Sequence, residues 1–120
     1  MTHPPTYLLF IPVEAMFVES IEMDTSKSGG DMQGIAMVTV ADASGPLPDA
    51  MVSVSWSEAT TGTDTQVSGA QGVAMLRSQL AGKKERKGKF FVATIDTLEC
   101  PQHYYDSSMN VVSSGQIAAE

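Results

Sequence analysis

The residues best suited to chemistry are a cysteine and a histidine three positions apart, Cys100 and His103, in a segment that continues to Asp106. Nucleophilic catalysis needs a base that a third group holds against the nucleophile. Cys100, His103 and Asp106 have the side chains for these three roles: nucleophile, base and orienting group. The sequence has no Gly-x-Ser-x-Gly motif to expose a nucleophile on a sharp turn. We therefore predict that the protein is not an enzyme, that Cys100 is a small apolar residue and that His103 lies in a loop.

Carboxylates in turn-rich segments are the candidates for a bound metal ion. Calcium prefers hard oxygen ligands from a flexible loop. Asp106 with Asn110, and Asp42 with Asp49, offer such oxygens, but neither pair has the dense Asp-x-Asp-x-Asp spacing of a dedicated calcium loop. Turn capping is the favoured interpretation of these residues, calcium binding is the alternative, and no other cofactor is expected.

Positive charge is concentrated in one short stretch. Five of the 7 basic residues lie there, and they are Lys83, Lys84, Arg86, Lys87 and Lys89. We predict a solvated loop between the fifth and sixth strands, whose lysines discourage edge-to-edge strand pairing. The alternative is contact with an acidic polymer or with an acidic patch on a neighbouring copy. The stretch holds no aromatic residue, which argues against base stacking with nucleic acid.

Three aromatic residues, Trp56, Tyr104 and Tyr105, are the candidates for stacking on a sugar ring. Adjacent residues of an extended segment point to opposite sides, so only one tyrosine can share a surface with Trp56. Trp56 alternates with apolar valines, which predicts that it lies in the core. We expect a structural hydrogen bond from a tyrosine, as in a tyrosine corner, and glycan binding is the alternative.

Length and composition narrow the range of functions. The 120 residues suffice for one domain. With 14 acidic and 7 basic residues, the net charge is −7, which argues against nucleic acid and anionic membranes as partners. A single cysteine excludes an internal disulfide and a multi-cysteine zinc site. Only 18% of residues are charged, and serine and threonine supply much of the remaining polarity, which suits the solvent faces of strands.

The N-terminal segment is more apolar than a linker, owing to Leu8, Leu9, Phe10 and Ile11. A signal peptide begins with a positively charged region, but residues 1–6 contain no Lys or Arg. Pro12 and Glu14 interrupt the apolar segment well before the ~20 residues that a transmembrane helix needs. Because an exposed apolar strand promotes aggregation, we predict that residues 1–17 form an extension or extra strand that packs on this domain, on a neighbouring domain or on a second copy. Residues 18–120 are the predicted domain.

Strands are the elements that must position these residues. Short segments of alternating apolar and polar residues are separated by turn residues roughly every 8 to 12 positions, which predicts an all-β antiparallel sandwich of about seven strands. Residues 51–57 show the clearest alternation, and Val111 is predicted to start the last strand. The predicted core consists of Val38, Val40, Val52, Val54, Trp56, Phe90, Val92 and Ile95.

The segment from Ala36 to Val54, with Asp42, Gly45 and Pro46 at its turn, resembles the strand–turn–strand element of bacterial immunoglobulin-like domains. Such domains occur in intimin- and invasin-type adhesins, and related fibronectin-III-like modules accompany secreted bacterial enzymes. The segment 68–74 resembles their hairpin, although Gly69 stands where an Asp is usual. The similarity covers about residues 18–113 and implies an immunoglobulin-like β-sandwich.

The resemblance also implies a role. We expect a non-catalytic module of an exported bacterial or archaeal protein, located outside the cell or at its surface, that acts as a spacer, an adhesion unit or an accessory domain. The first alternative is a filament or surface-layer subunit that assembles through its apolar N-terminal strand, and the second is a glycan- or calcium-binding module. Neighbouring domains or copies of the same chain are the expected partners, with no nucleic acid and no membrane insertion.

Overall fold

The computed structural model describes residues 13–119, which form two packed β-sheets. Strands β1 to β9 span, in order, Glu14–Ser28, Asp31–Asp42, Gly45–Pro46, Met51–Glu58, Gly62–Val67, Val73–Arg77, Phe90–Glu99, His103–Tyr105 and Ser114–Ala118. A short helix, α1, spans Lys83–Arg86, and a 3-10 turn spans Ser107–Met109. The predicted all-β sandwich is confirmed at this level.

The first sheet is built on the long β1–β2 hairpin. Strand β2 pairs with β1 along one edge and with β3 and β6 along the other, and β8 pairs with the start of β1. The β1–β8 pair is parallel. The second sheet has the order β5-β4-β7-β9, and all its pairs are antiparallel.

The core lies between the two sheets and contains all five of the core residues predicted in β2 and β4. Val38, Val40, Val52 and Val54 are fully buried, and Trp56 is buried beside them. Alternate residues of a strand face opposite sides, which explains why the serines of β4 lie on the other face of its sheet. This part of the predicted core is confirmed.

Strand β7 departs from the predicted core. Phe90 is 39% exposed and Val92 only half-buried, whereas Phe91 and Ala93 are buried. A shift of one residue moves every side chain of a strand to the opposite face, so the prediction placed the wrong face of this segment inward. Ile95 does pack against the core, as predicted. It lies four positions after Phe91 and therefore on the same face of the strand.

Within residues 13–119, the first and last strands begin at other positions than the sequence pattern predicts. Strand β1 already begins at Glu14, and Met16 is buried, so the predicted boundary between residues 17 and 18 falls within a core strand. Val111 is 74% exposed, and the last strand begins only at Ser114. Leu8, Leu9, Phe10 and Ile11 lie outside the described residues. Within residues 13–119, no helix has the length and apolar character to cross a membrane.

The connection between β5 and β6 is fastened by a buried serine, Ser68. Its hydroxyl donates to the carbonyl of Leu47 at 2.7 Å and accepts from the backbone N–H of Ala50 at 2.9 Å. Because Ser68→Ala leaves both buried groups without a partner, it should lower the free energy of unfolding by about 1–3 kcal/mol. Urea unfolding followed by circular dichroism measures this loss.

Ser53→Ala is the matched control for this prediction. The Ser53 hydroxyl shares an exposed hydrogen bond with the hydroxyl of Thr65, and removing it should change stability by no more than about 0.5 kcal/mol. Equal losses in the two variants would contradict the role assigned to Ser68.

Candidate functional site

The two ends of the sandwich carry opposite net charge, although Asp31, Glu58 and Glu85 lie among the bases of one of them. Six of the 7 Lys and Arg residues lie at the end where β1 ends and where β2 and β7 begin, which we call the basic end. They are Lys27, Lys83, Lys84, Arg86, Lys87 and Lys89. The segment after β6 is tied to this end by paired backbone bonds between Met32 and Ala81, at 3.0 and 2.7 Å. Lys27 thereby joins the basic stretch from a distant part of the chain.

A groove at this end, the basic groove, is lined by Lys27, Met32, Lys83, Arg86 and Lys87. Arg86 is only 8% exposed, and its Nη1 donates to the carbonyls of Gly30 at 3.3 Å and Ala81 at 3.2 Å. The prediction of a solvated loop is therefore wrong at Arg86. Through these two hydrogen bonds, this side chain anchors α1 to the β1–β2 turn.

The opposite end of the sandwich, the acidic end, is where β1 and β4 begin and where β2 and β7 end. None of the 7 Lys and Arg residues lies there, and its acidic residues are Glu14, Asp42, Asp49, Glu99 and Asp106. A second groove at this end, the acidic groove, is lined by Asp49, Met51, Val67, Glu99, Cys100 and Pro101. The net charge of the chain is thus distributed unevenly along its long strands.

The acidic end also brings together Glu14, Asp42 and His103, which we call the His103 cluster. Parallel pairing of β1 with β8 aligns Glu14 with His103. His103 Nε2 lies 3.0 Å from Asp42 Oδ2, and the two side chains are only 13% and 10% exposed. One ligand-type atom from each of the three residues lies within 4.8 Å of the other two. Glu14 is not recognisable in this role from the sequence, because nothing local links it to the other two residues.

Hydrogen bonds shift the protonation of the central pair. The Pro101 carbonyl, bonded to Nδ1 at 2.8 Å, and secondarily the Asp42 carboxylate hold the pKa of His103 above its usual value, although burial acts in the opposite direction. The hydrogen bond to His103 lowers the pKa of Asp42, although burial acts in the opposite direction. In the absence of another cation, these shifts favour an imidazolium–carboxylate pair.

Cys100 is not arranged as an activated nucleophile. Its Sγ lies 4.0 Å from the carbonyl oxygen of Pro48. The backbone N–H of His103 donates to the Cys100 carbonyl at 3.2 Å, but the hydrogen bonds of the described residues do not join the thiol to the imidazole. Burial, followed by the charges of Asp49 and Asp42, raises the pKa of the thiol. Because the thiolate is the reactive form, these surroundings disfavour reaction.

The side chains proposed for calcium make internal contacts. Asp106 accepts from the backbone N–H of Ser108 at 3.1 Å, and Asn110 Oδ1 accepts from that of Val18 at 2.7 Å. At the other pair, Asp42 accepts from the N–H of Ser44 at 2.8 Å, as a turn-capping aspartate does. Asp49 has a left-handed φ of 63° and lines the acidic groove. Calcium binding at these pairs stays a prediction.

The aromatic residues do not form a shared stacking surface. Trp56 is 3% exposed, whereas Tyr104 is 52% exposed. Tyr105 packs against the core, and its hydroxyl accepts from Asn110 Nδ2 at 2.6 Å. Trp56 therefore contributes to the core and cannot join a tyrosine in a sugar-binding platform.

Comparison with known proteins adds no assignment. A scan against protein-family models, a search of curated proteins and a search of solved structures each find no match. The charge distribution and the His103 cluster therefore carry the functional argument.

Proposed function

We propose that the chain is a non-catalytic, immunoglobulin-like module that makes end-to-end contacts with neighbouring copies. The strand order supports the fold assignment. We name β1, β2 and β6 A, B and E, and we name β4, β5, β7 and β9 C, C′, F and G. The sheets then have the orders A-B-E and C′-C-F-G, and the short strands β3 and β8 are additions to the first sheet. Immunoglobulin-like domains divide these strands between their two sheets in the same way.

The separation of charge between the two ends is the observation that carries the proposal. Strand β2 alone has 12 residues, so a span of about 40 Å separates the ends of the hairpin. A basic end and an acidic end at opposite poles attract each other when copies are aligned head to tail, and like ends repel. A chain with these poles favours one orientation of its neighbour.

The two grooves are chemically complementary. In the acidic groove, the exposed side chains of Met51 and Val67 lie beside the carboxylates of Asp49 and Glu99. A lysine side chain can rest its aliphatic stem on apolar groups of this kind while its ammonium group meets a carboxylate. Lysines of the basic end are exposed and provide such side chains.

In this proposal the module belongs to an exported bacterial or archaeal protein and holds its neighbours at a defined spacing outside the cell or at its surface. The resemblance of residues 18–113 to adhesin and accessory domains supports that setting. The mechanism is spatial, since Cys100 and His103, the residues closest in type to a catalytic pair, do not place thiol against imidazole.

Sedimentation velocity at low and high salt tests the end-to-end contact. We expect the purified chain to self-associate at about 20 mM NaCl and to become monomeric near 500 mM, because the Debye length falls from roughly 20 Å to about 4 Å. A chain that stays monomeric at low salt and high concentration would contradict the proposal.

Charge reversal provides a sharper test. Lys83→Glu/Lys84→Glu/Lys87→Glu cancels the positive charge of the basic end, and Asp49→Lys/Glu99→Lys replaces both carboxylates of the acidic groove with ammonium groups. Each variant alone should be monomeric, whereas an equimolar mixture should associate, because opposite ends are again available. Failure of the mixture to associate would exclude electrostatic pairing of the ends.

A filament subunit that donates its N-terminal strand is the alternative, and the same assay distinguishes it. Deletion of residues 1–12 should leave end-to-end association intact. Association that persists at high salt and disappears on this deletion would favour strand donation instead.

A further inference from the structure

We propose that Glu14, Asp42 and His103 form a binding site for a divalent transition-metal ion, with Zn²⁺ as the probe of choice. The proposal goes beyond the end-to-end function and does not depend on it. It rests on the partners of the two imidazole nitrogens and on the geometry of the three side chains.

Both ring nitrogens of His103 face hydrogen-bond acceptors. Nδ1 lies 2.8 Å from the Pro101 carbonyl oxygen, and Nε2 lies 3.0 Å from Asp42 Oδ2. A neutral imidazole has only one N–H. When Nδ1–H donates to Pro101, the lone pair of Nε2 points towards a carboxylate, and a cation must lie between them. That cation is either a second proton or a metal ion.

The hydrogen bond between Nδ1 and the Pro101 carbonyl is of the kind that orients metal-binding histidines. Such histidines almost always donate their second ring N–H to a backbone carbonyl or a carboxylate, which fixes the tautomer and directs the other nitrogen at the metal. The Pro101 carbonyl performs this role for His103. Nε2 is therefore directed into the cluster before any metal arrives.

The ligand atoms are close to the separation that zinc requires. Zinc bonds of about 2.0–2.2 Å in a tetrahedral site place ligand atoms roughly 3.3 Å apart. Nε2 and Oδ2 are 3.0 Å apart, and all three ligand atoms lie within 4.8 Å of one another. Glu14 is exposed, so surrounding side chains do not confine its carboxylate to its present position.

The donor set also selects the class of metal. One imidazole and two carboxylates suit Zn²⁺ and related ions, whereas calcium takes oxygen ligands. Three protein ligands leave a fourth position for water. A metal ion here would link the starts of β1 and β8 to the end of β2, and so fasten the first strand to its sheet.

Isothermal titration of the chelator-treated full chain with Zn²⁺ tests the site. We expect one ion per chain and a rise in melting temperature of about 5 °C or more when free Zn²⁺ exceeds Kd about 100-fold. Glu14→Gln and His103→Gln should each weaken binding at least about tenfold. Glu14 is exposed, so its substitution leaves the core intact.

Two matched controls remove alternative explanations. His3→Gln changes the other histidine of the chain, and Glu99→Gln changes an acidic residue at the same end but outside the cluster. Both should bind Zn²⁺ within about twofold of the unmodified chain. Equal affinity in His103→Gln, or loss of binding in His3→Gln, would overturn the proposal.

Nuclear magnetic resonance of the unmodified chain provides a reading that does not depend on any variant folding. Addition of Zn²⁺ should shift the His103 Nε2 resonance strongly, while Nδ1 keeps its proton. An unchanged Nε2 resonance at saturating Zn²⁺ would show that the metal binds elsewhere and would refute the assignment.

Discussion

Phe91→Ala should lower the free energy of unfolding by about 3–5 kcal/mol, the range for truncation of a buried phenylalanine. Phe91 is fully buried and is the largest side chain with that degree of burial among the described residues. Its ring lies where β7 of one sheet faces Gly34 of the other. Truncation leaves a cavity between the sheets, and the close approach of Gly34 offers no side chain to fill it.

The neighbouring residue supplies the control. Phe90→Ala removes the same number of atoms from a side chain that is 39% exposed, so we expect a loss of about 1 kcal/mol or less. Urea unfolding of both variants measures the difference. Equal losses, or a larger loss for Phe90→Ala, would mean that β7 presents its other face to the core.

Gly72→Ala is expected to cost about 2–5 kcal/mol, for two reasons that add. Gly72 has a φ of +78°, a conformation that costs an L-residue about 1–2 kcal/mol. An added Cβ would also lie 2.8 Å from the carbonyl oxygen of Val40 and 3.0 Å from the nitrogen of Leu47. These are backbone atoms of the packed sheet, so relieving the overlap costs about 1–3 kcal/mol more.

Gly29→Ala separates the two contributions. Gly29 has a φ of +64°, but an added Cβ there meets nothing within 4 Å. Its loss should be about 1–2 kcal/mol, from backbone strain alone. Thermal and urea unfolding of both variants give the comparison. A loss for Gly72→Ala no greater than that for Gly29→Ala would contradict the close approach at Gly72.

The fold was predictable where the pattern is local. Val52, Val54 and Trp56 alternate with serines in β4, and such alternation identifies a half-buried strand without knowledge of its partners. Strand β7 shows the limit of this reasoning. Phe90 and Phe91 are both apolar, so the sequence admits either face. Pairing with β4, including a register shift opposite Ser53 and Val54, selects Phe91, Ile95 and Leu98 for the core.

The candidate sites divide in the same way. The basic stretch is visible in the sequence because its residues are contiguous, but the burial of Arg86 and the addition of Lys27 depend on how α1 packs against the β1–β2 turn. The acidic residues of the acidic end, in contrast, are scattered along the sequence. Its carboxylates are brought together only because strands that run in opposite directions share an end.

The β class, most strands, the core of β2 and β4 and the basic stretch follow from local patterns of residue type, because each depends on neighbours within a few residues. The face of β7, the two charged poles and the His103 cluster follow only from the packing of distant segments. Asp42 and His103 are 61 positions apart, and Glu14 joins them through parallel pairing of β1 with β8. Contacts of this kind arise from strand pairing between distant segments, which local patterns of residue type do not encode.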